Sequence, residues 1–180
     1  MRIISGSHKG RRITAPKKLP VRPTTDMAKE GIFNILKNRY YLEDLRVLDL
    51  FSGTGNISFE MASRGVQGIT AVDQHAGCTK FIHNTAQEFD FDISVIKSDV
   101  FKFLERTKTQ YDLIFADPPY DMPLEKFEQI PALIFENNLL APEGLLIVEH
   151  SPQTNLENLP FFQENRKYGS NVFSFFEAIT

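Results

Sequence analysis

Between Arg46 and His150 the sequence alternates repeatedly between short apolar runs and longer segments of helical period, and nothing else in the chain limits its fold as strongly. "RVLDLF" leads into "SGTGNISFEMASR", "GITAVD" into "GCTKFIHNTAQEF", "ISVIKSD" into "VFKFLER" and "YDLIFADPPY" into "LEKFEQIPALIFENN"; "GLLIVEH" closes the series. Strands that alternate with helices pair in parallel, because each crossover returns the chain to the same end of the sheet, and the helices then cover both faces. Past Pro160, "FFQENRKYGSNVFSFFEA" reads as two strands about Tyr168, Gly169 and Ser170, a closing hairpin. Pro131 predicts a kink or break in the fourth of these helices. A chain of 180 residues, 42% of them hydrophobic, holds one core of domain size.

The residues before this alternation differ in kind. "RPTTDMAKEGIFNIL" predicts a helix start: Pro23 stops what precedes it, Thr25 serves as N-cap, Asp26 suits the positive end of the helix dipole, and Ala28, Gly31, Ile32, Ile35 and Leu36 share a face. Ahead of Asp26 lie Arg2, Lys9, Arg11, Arg12, Lys17, Lys18 and Arg22 and no acid, which leaves thirteen basic against twenty-three acidic residues, a net of −10, in the remainder. A basic arm on an acidic body points to a polyanionic partner gripped by the arm. "RIISG" and "RRITA" read as short strands, so the arm is expected to fold, as a unit over residues 1–25 followed by a main domain over 26–180. Cys78 is the lone cysteine, which excludes an internal disulfide and a cysteine-rich zinc site; His8, His75, His83 and His150 have no zinc spacing, and no metal is expected. "MRIISGSHKGRR" has no apolar signal core, and no apolar run approaches the roughly 20 residues of a membrane span, so a soluble cytoplasmic protein is expected.

Open parallel sheets bind ligands at the carboxyl ends of their strands, where the strand order reverses. If the first and fourth strands flank that point, "DLFSGTG" and "DPPY" share one crevice. In the first, Gly53 and Gly55 permit a sharp turn and a close backbone approach, and Asp49 can accept hydrogen bonds beneath it. Asp73 closes the second strand, where a carboxylate meets the two hydroxyls of a ribose. A nicotinamide fingerprint needs a third glycine, and Ser58 stands in its place. In the second, the Asp117 carboxylate and the Pro118 carbonyl can accept the two hydrogens of an exocyclic amine, so that its nitrogen pyramidalises and turns its lone pair to an electrophile. Pro118 and Pro119 stiffen that backbone, and Tyr120 can stack on a flipped base.

Asp-Pro-Pro-Tyr after a buried strand resembles the motif of amino-methyltransferases, which use S-adenosylmethionine as methyl donor. "RIISGSHKGRRITAP", "RPTTDMAKEGIFNIL", "LDLFSGTGNISFEMASRG" and "DPPY" together resemble the RsmD-like family, which methylates the exocyclic N2 of one guanine, of the guanine-966 type, in bacterial 16S ribosomal RNA. The resemblance covers nearly the whole chain. It implies a Rossmann-like class I S-adenosylmethionine-dependent methyltransferase sheet with a small N-terminal β extension, and as substrate the 16S ribosomal RNA of the small subunit or a late assembly intermediate, met by a monomer. On it, Asp49, Phe51, Gly53, Gly55, Asp73, Asp99 and Val100 surround the cofactor, Asp117, Pro118, Pro119 and Tyr120 the target amine, and Arg2, Lys9, Arg11, Arg12, Lys17, Lys18, Arg22 and Thr24 the RNA. Two positions depart from the family pattern. Lys29–Glu30 followed by Gly31 replaces Arg-Glu, losing the guanidinium fork, and Asp73 replaces a longer glutamate. Two other functions fit less well: an amino-methyltransferase on a DNA base or a protein glutamine, and a silent RNA-binding module.

Overall fold

The computed structural model describes residues 1–22 and 24–178; the stop expected at Pro23 lies outside them. Five strands, β1 (Arg46–Leu50), β2 (Gly68–Asp73), β3 (Ile93–Lys97), β4 (Tyr111–Ala116) and β5 (Leu140–His150), run parallel, and β6 (Phe162–Tyr168) and β7 (Asn171–Phe176) form the closing hairpin. The sheet order is β3-β2-β1-β4-β5-β7-β6, with β7 antiparallel to both of its neighbours. The reversal between β1 and β4 falls where the sequence places it.

Period-two alternation sorts the strand side chains onto two faces. Val47, Leu113, Phe115, Leu145, Ile147 and Phe173 pack under α1 (Asp26–Arg39) and α2 (Asn56–Ser63), while Leu48, Ile114, Ala116, Leu146 and Val148 pack under α4 (Val100–Arg106) and α5 (Leu124–Glu136). On the first face, α3 (Ala76–Glu88) extends the layer through Ile82, which meets Phe59 of α2. Thr25 caps α1 as expected, accepting from the Ala28 amide at 3.2 Å. Gly31, a poor helix former, has a packing reason: a Cβ there would lie 2.4 Å from the Tyr168 ring, so the hairpin needs the bare backbone.

Two expectations are corrected. Of the kink or break expected at Pro131, the break does not occur: α5 runs through it as a single helix, with Phe127, Ile130, Pro131 and Ile134 all buried. Burial of that face against the sheet outweighs the lost backbone bond. "RIISG" and "RRITA" do meet, but through a single antiparallel bridge between Arg2 and Arg12 flanked by Ile3–Arg11 and Ile13–Met1 backbone bonds, rather than as two strands. Buried anchors, rather than a ladder, hold the arm down. Ile3 and Ile13 enter the cluster of Phe59, Ile82 and Phe89.

Beneath the arm lies a polar knot. Glu60, fully buried on α2, accepts from the amides of Ile4 and Ser5 at 2.8 and 3.1 Å and from Arg64 at 2.9 Å. Lys29, also buried, pairs with Glu60 at 3.2 Å and donates to the Arg2 carbonyl and to Asn56 Oδ1. Burial lowers the Lys29 pKa, and the Glu60 carboxylate opposes that. The Lys29 departure thus makes a carboxylate contact with a single ammonium, in a place that no phosphate reaches.

Candidate active site

The carboxyl ends of β1, β2 and β4 open into a cavity of about 690 Å³ bounded by the glycine turn, the Asp117–Tyr120 segment and the arm at Pro20, Val21, Arg22 and Thr24. Its floor is stitched by strand-end bonds: the Ser52 amide to the Val72 carbonyl at 3.0 Å, the Ser98 amide to the Asp73 carbonyl at 3.0 Å and the Asp117 amide to the Leu50 carbonyl at 3.3 Å. The turn itself is strained in the way that ligand loops often are. Phe51 takes φ 54°, followed by Gly53 at 55° and Gly55 at 88°.

Asp73 holds this turn from the next strand, accepting from the Gly53 amide at 2.9 Å and, with its other oxygen, from the His75 amide at 2.8 Å. Each oxygen has capacity for a second bond, and Asp73 lines the cavity. Asp49 lies buried beneath the turn and accepts from Ser58 Oγ at 2.6 Å; burial pushes its carboxyl up to about 7. Asp99 caps α4 by accepting from the Lys102 amide at 3.0 Å, with Val100 and Phe101 beside it on the cavity wall. Ser52 Oγ is buried with no hydrogen-bond partner among the described residues. An unmet hydroxyl at a glycine turn, in a cavity that Asp73 and Asp99 also line, suits a ligand that carries hydroxyls and positive charge.

Across the reversal stand Asp117, Pro118, Pro119 and Tyr120. Asp117 is partly exposed to the cavity, and burial, then the neighbouring Glu149 charge, raise its carboxyl well above the ordinary range against an opposing pull from Arg22. Arg22 lies over the Tyr120 ring at 3.3 Å from its centroid, so one face of the expected stacking platform is already covered by the arm. The Tyr120 hydroxyl accepts from Asn171 at 3.0 Å.

The residues expected to meet RNA are less uniform than their shared charge suggests. Lys9, Arg12, Lys17 and Lys18 are exposed; Arg2 pairs with Asp26 at 3.1 Å, and Arg11 lies 4.7 Å from the Phe89 centroid. Thr24 is buried at the edge of the cavity, and its hydroxyl donates to Glu149 at 3.1 Å, which anchors the arm there. His8 packs against Phe91, and His150 is buried on Ser174. Sequence reasoning missed Glu149 and Asn171. An acid closing the buried run "GLLIVEH" was a signal for Glu149, since a core strand has no other use for one; nothing singled out Asn171.

The strand order, the antiparallel seventh strand and a glycine turn facing the strand-order reversal define a class I S-adenosylmethionine-dependent methyltransferase fold. Residues 1–177 match the family described as "Conserved hypothetical protein 95". Ribosomal RNA small subunit methyltransferase D of Escherichia coli is 32% identical over 161 residues, 89% of this chain and 79% of that protein. The solved structure of the putative methyltransferase yhhF from Escherichia coli superposes with a TM-score of 0.86 at 26% identity, covering 99% of each chain. The chain belongs to the RsmD-like family of ribosomal RNA methyltransferases. At the level of fold alone, a Thermus thermophilus 16S rRNA N2 G1207 methyltransferase, solved with AdoMet and guanosine, matches with a TM-score of 0.69 at 20% identity, over 88% of this chain and 45% of that one.

Proposed function

We propose that this chain transfers a methyl group from S-adenosylmethionine to the exocyclic N2 of a guanine in the 16S ribosomal RNA of the small subunit or a late assembly intermediate. The observation that carries the reading is the placement of Asp117–Tyr120 against the glycine turn across the strand-order reversal, in one cavity. Bound in that cavity, S-adenosylmethionine supplies a methyl group on a cationic sulfur. Asp73 offers its remaining lone pairs to the ribose hydroxyls, Ser52 Oγ gains a partner, Gly53 and Gly55 let the backbone approach, and Asp49, Phe51, Asp99 and Val100 shape the rest.

Asp117 and the Pro118 carbonyl then accept the two hydrogens of the amine, which frees its lone pair for in-line attack. A carboxylate only accepts, and so it matches the adjacent N1–H and N2–H donors of guanine. Tyr120 stacks on the base once Arg22 leaves the ring or offers it the other face. Lys9, Arg12, Lys17 and Lys18 hold the phosphates.

The test is incubation with labelled S-adenosylmethionine and small subunits from a strain lacking this gene, followed by mapping of the modified base. Label at one guanine N2 is expected. Asp117→Ala should bind cofactor and lose roughly 10²–10³ in rate, as loss of a transition-state acceptor does. Label on another base, or wild-type turnover by the variant, contradicts the assignment.

A further inference from the structure

β4 and β5 end side by side at the cavity floor. Their register pairs Ala116 with Val148, so the next residues, Asp117 and Glu149, stand level on adjacent strands and turn to the same face of the sheet as Phe115 and Ile147. Glu149 is fully buried, out of reach of any substrate. Burial raises its carboxyl pKa, and hydrogen bonds oppose that by favouring the charged form: one oxygen accepts from Asn171 at 2.6 Å and the other from Thr24 at 3.1 Å, so two strands and the arm converge on it. None of the ion pairs among the described residues includes it. A buried carboxylate held by two donors, with the Arg22 charge near it but not ion-paired to it, one strand away from the residue proposed to face the amine, is costly to keep for packing alone.

We propose that Glu149 is a positioning residue that acts through Asp117: its buried charge makes Asp117 the acceptor of the proton that the amine gives up when it is methylated. This rests on the methyltransferase reading above. In the step, the amine lone pair forms the new N–C bond as the C–S bond breaks, with that pair staying on sulfur; the surplus proton on nitrogen passes to Asp117, which is then a neutral acid hydrogen-bonded to Glu149. Net charge in the site is conserved, since the sulfonium cation and the Asp117 anion disappear together. Solvent takes the proton when the product leaves.

The charged and titratable groups around the pair are Arg22 on the arm, Tyr120 on the motif and Asp49 on β1; β7 presents Asn171, Lys29 of α1 is committed to Glu60, and His150 bonds to Ser174 instead. The Glu149 charge holds the Asp117 proton more tightly, and the Arg22 charge loosens it. Transfer needs Asp117 ionised, so the rate rises with pH through the Asp117 titration. Removing the Glu149 charge must therefore move that acid limb to lower pH while making Asp117 a weaker base. Removing the Arg22 charge must move it to higher pH.

Glu149→Gln preserves the volume, and its oxygen can accept from Asn171 while its amide donates to Thr24 Oγ, so the variant should fold; its thermal midpoint checks this. Single-turnover methyl transfer to unmodified small subunits, measured across pH with saturating cofactor, should show a plateau lower by roughly tenfold or more. Its acid limb should shift down, so that the variant gains on the wild type steadily as pH falls, and Arg22→Gln should shift the limb up. A profile of unchanged shape, merely scaled down, overturns the proposal and leaves Glu149 structural. The ¹³C resonance of the Asp117 carboxyl, assigned by its loss in Asp117→Asn, gives the same titration with no RNA present. If the wild type methylates no small subunit, the functional reading fails while this titration still judges the pair; if the midpoint does not fall in Glu149→Gln, the pair fails even in an active enzyme.

Discussion

Asp73 shows how much one side chain in this site does at once. Its two oxygens already tie the glycine turn to the start of α3 through the Gly53 and His75 amides, which places a shorter acid where the family more often has glutamate and still leaves each oxygen capacity for a second bond. Asp73→Ala should therefore weaken S-adenosylmethionine binding by roughly ten- to a hundredfold, the worth of hydrogen bonds to a charged group. The proposed ribose contact would be made in ground and transition states alike, so the effect should fall on the Michaelis constant more than on the saturated rate. Calorimetry on the variant checks it; unchanged affinity would place the ribose elsewhere. At this scale the sequence was legible where chemistry is contiguous. Asp117 to Tyr120 form one string, and Asp49, Gly53 and Gly55 another. The acid near the end of "GLLIVEH" marked Glu149 but not its partner, and Asn171 was not legible at all, because their relation to Asp117 and Tyr120 exists only after β4, β5 and β7 have paired.

At the scale of elements, the period of the apolar residues was sufficient to place the strands and helices from Arg46 onward, since each buries one or both faces against the same sheet. It failed where something other than periodicity holds the chain. α5 tolerates Pro131 because its buried face carries it, and the arm needs no strands because the Lys29–Glu60 knot pins its backbone amides. Charged residues on the buried faces of α1 and α2 were the available signal for that knot. Lys29→Met fits the volume but leaves the Glu60 carboxylate with one cation fewer and frees the Arg2 carbonyl. Losing one partner of a buried pair costs about 3–5 kcal/mol, which for a chain of this size lowers the melting temperature by roughly 6–20 °C. Differential scanning calorimetry reads the shift directly. A loss under about 1 kcal/mol would mean that Arg64 alone satisfies Glu60.

For the molecule as a whole, the division of charge decides which way it faces. A body of net −10 opposes a phosphate backbone as a whole, so on the proposed function the seven basic residues before Asp26 are the first candidates for affinity to RNA. The structure divides these seven by what each already touches. Arg2 and Arg11 are engaged with Asp26 and Phe89, and Arg22 with Tyr120, while Lys9, Arg12, Lys17 and Lys18 are exposed and are the proposed phosphate contacts. Deleting the arm would be a poor test, because Ile3 and Ile13 are part of the core and Glu60 would lose two amide donors. Lys17→Glu with Lys18→Glu is a clean one: both side chains are exposed, neither forms an ion pair among the described residues, and both precede the anchor at Arg22 and Thr24. The melting temperature and cofactor affinity should stay at wild-type values. Binding to small subunits should weaken, and the slope of log affinity against log salt should flatten by about 0.7–0.9 for each phosphate that is no longer neutralised. Lys17→Gln with Lys18→Gln separates this effect from general repulsion, since it removes the same charges without adding carboxylates, whose repulsion also fades as the Debye length contracts from about 10 Å at 0.1 M toward 3 Å at 1 M. If the reversed protein binds and methylates small subunits as the wild type does at every salt concentration, this part of the arm is a solvated face, and the phosphates are held elsewhere.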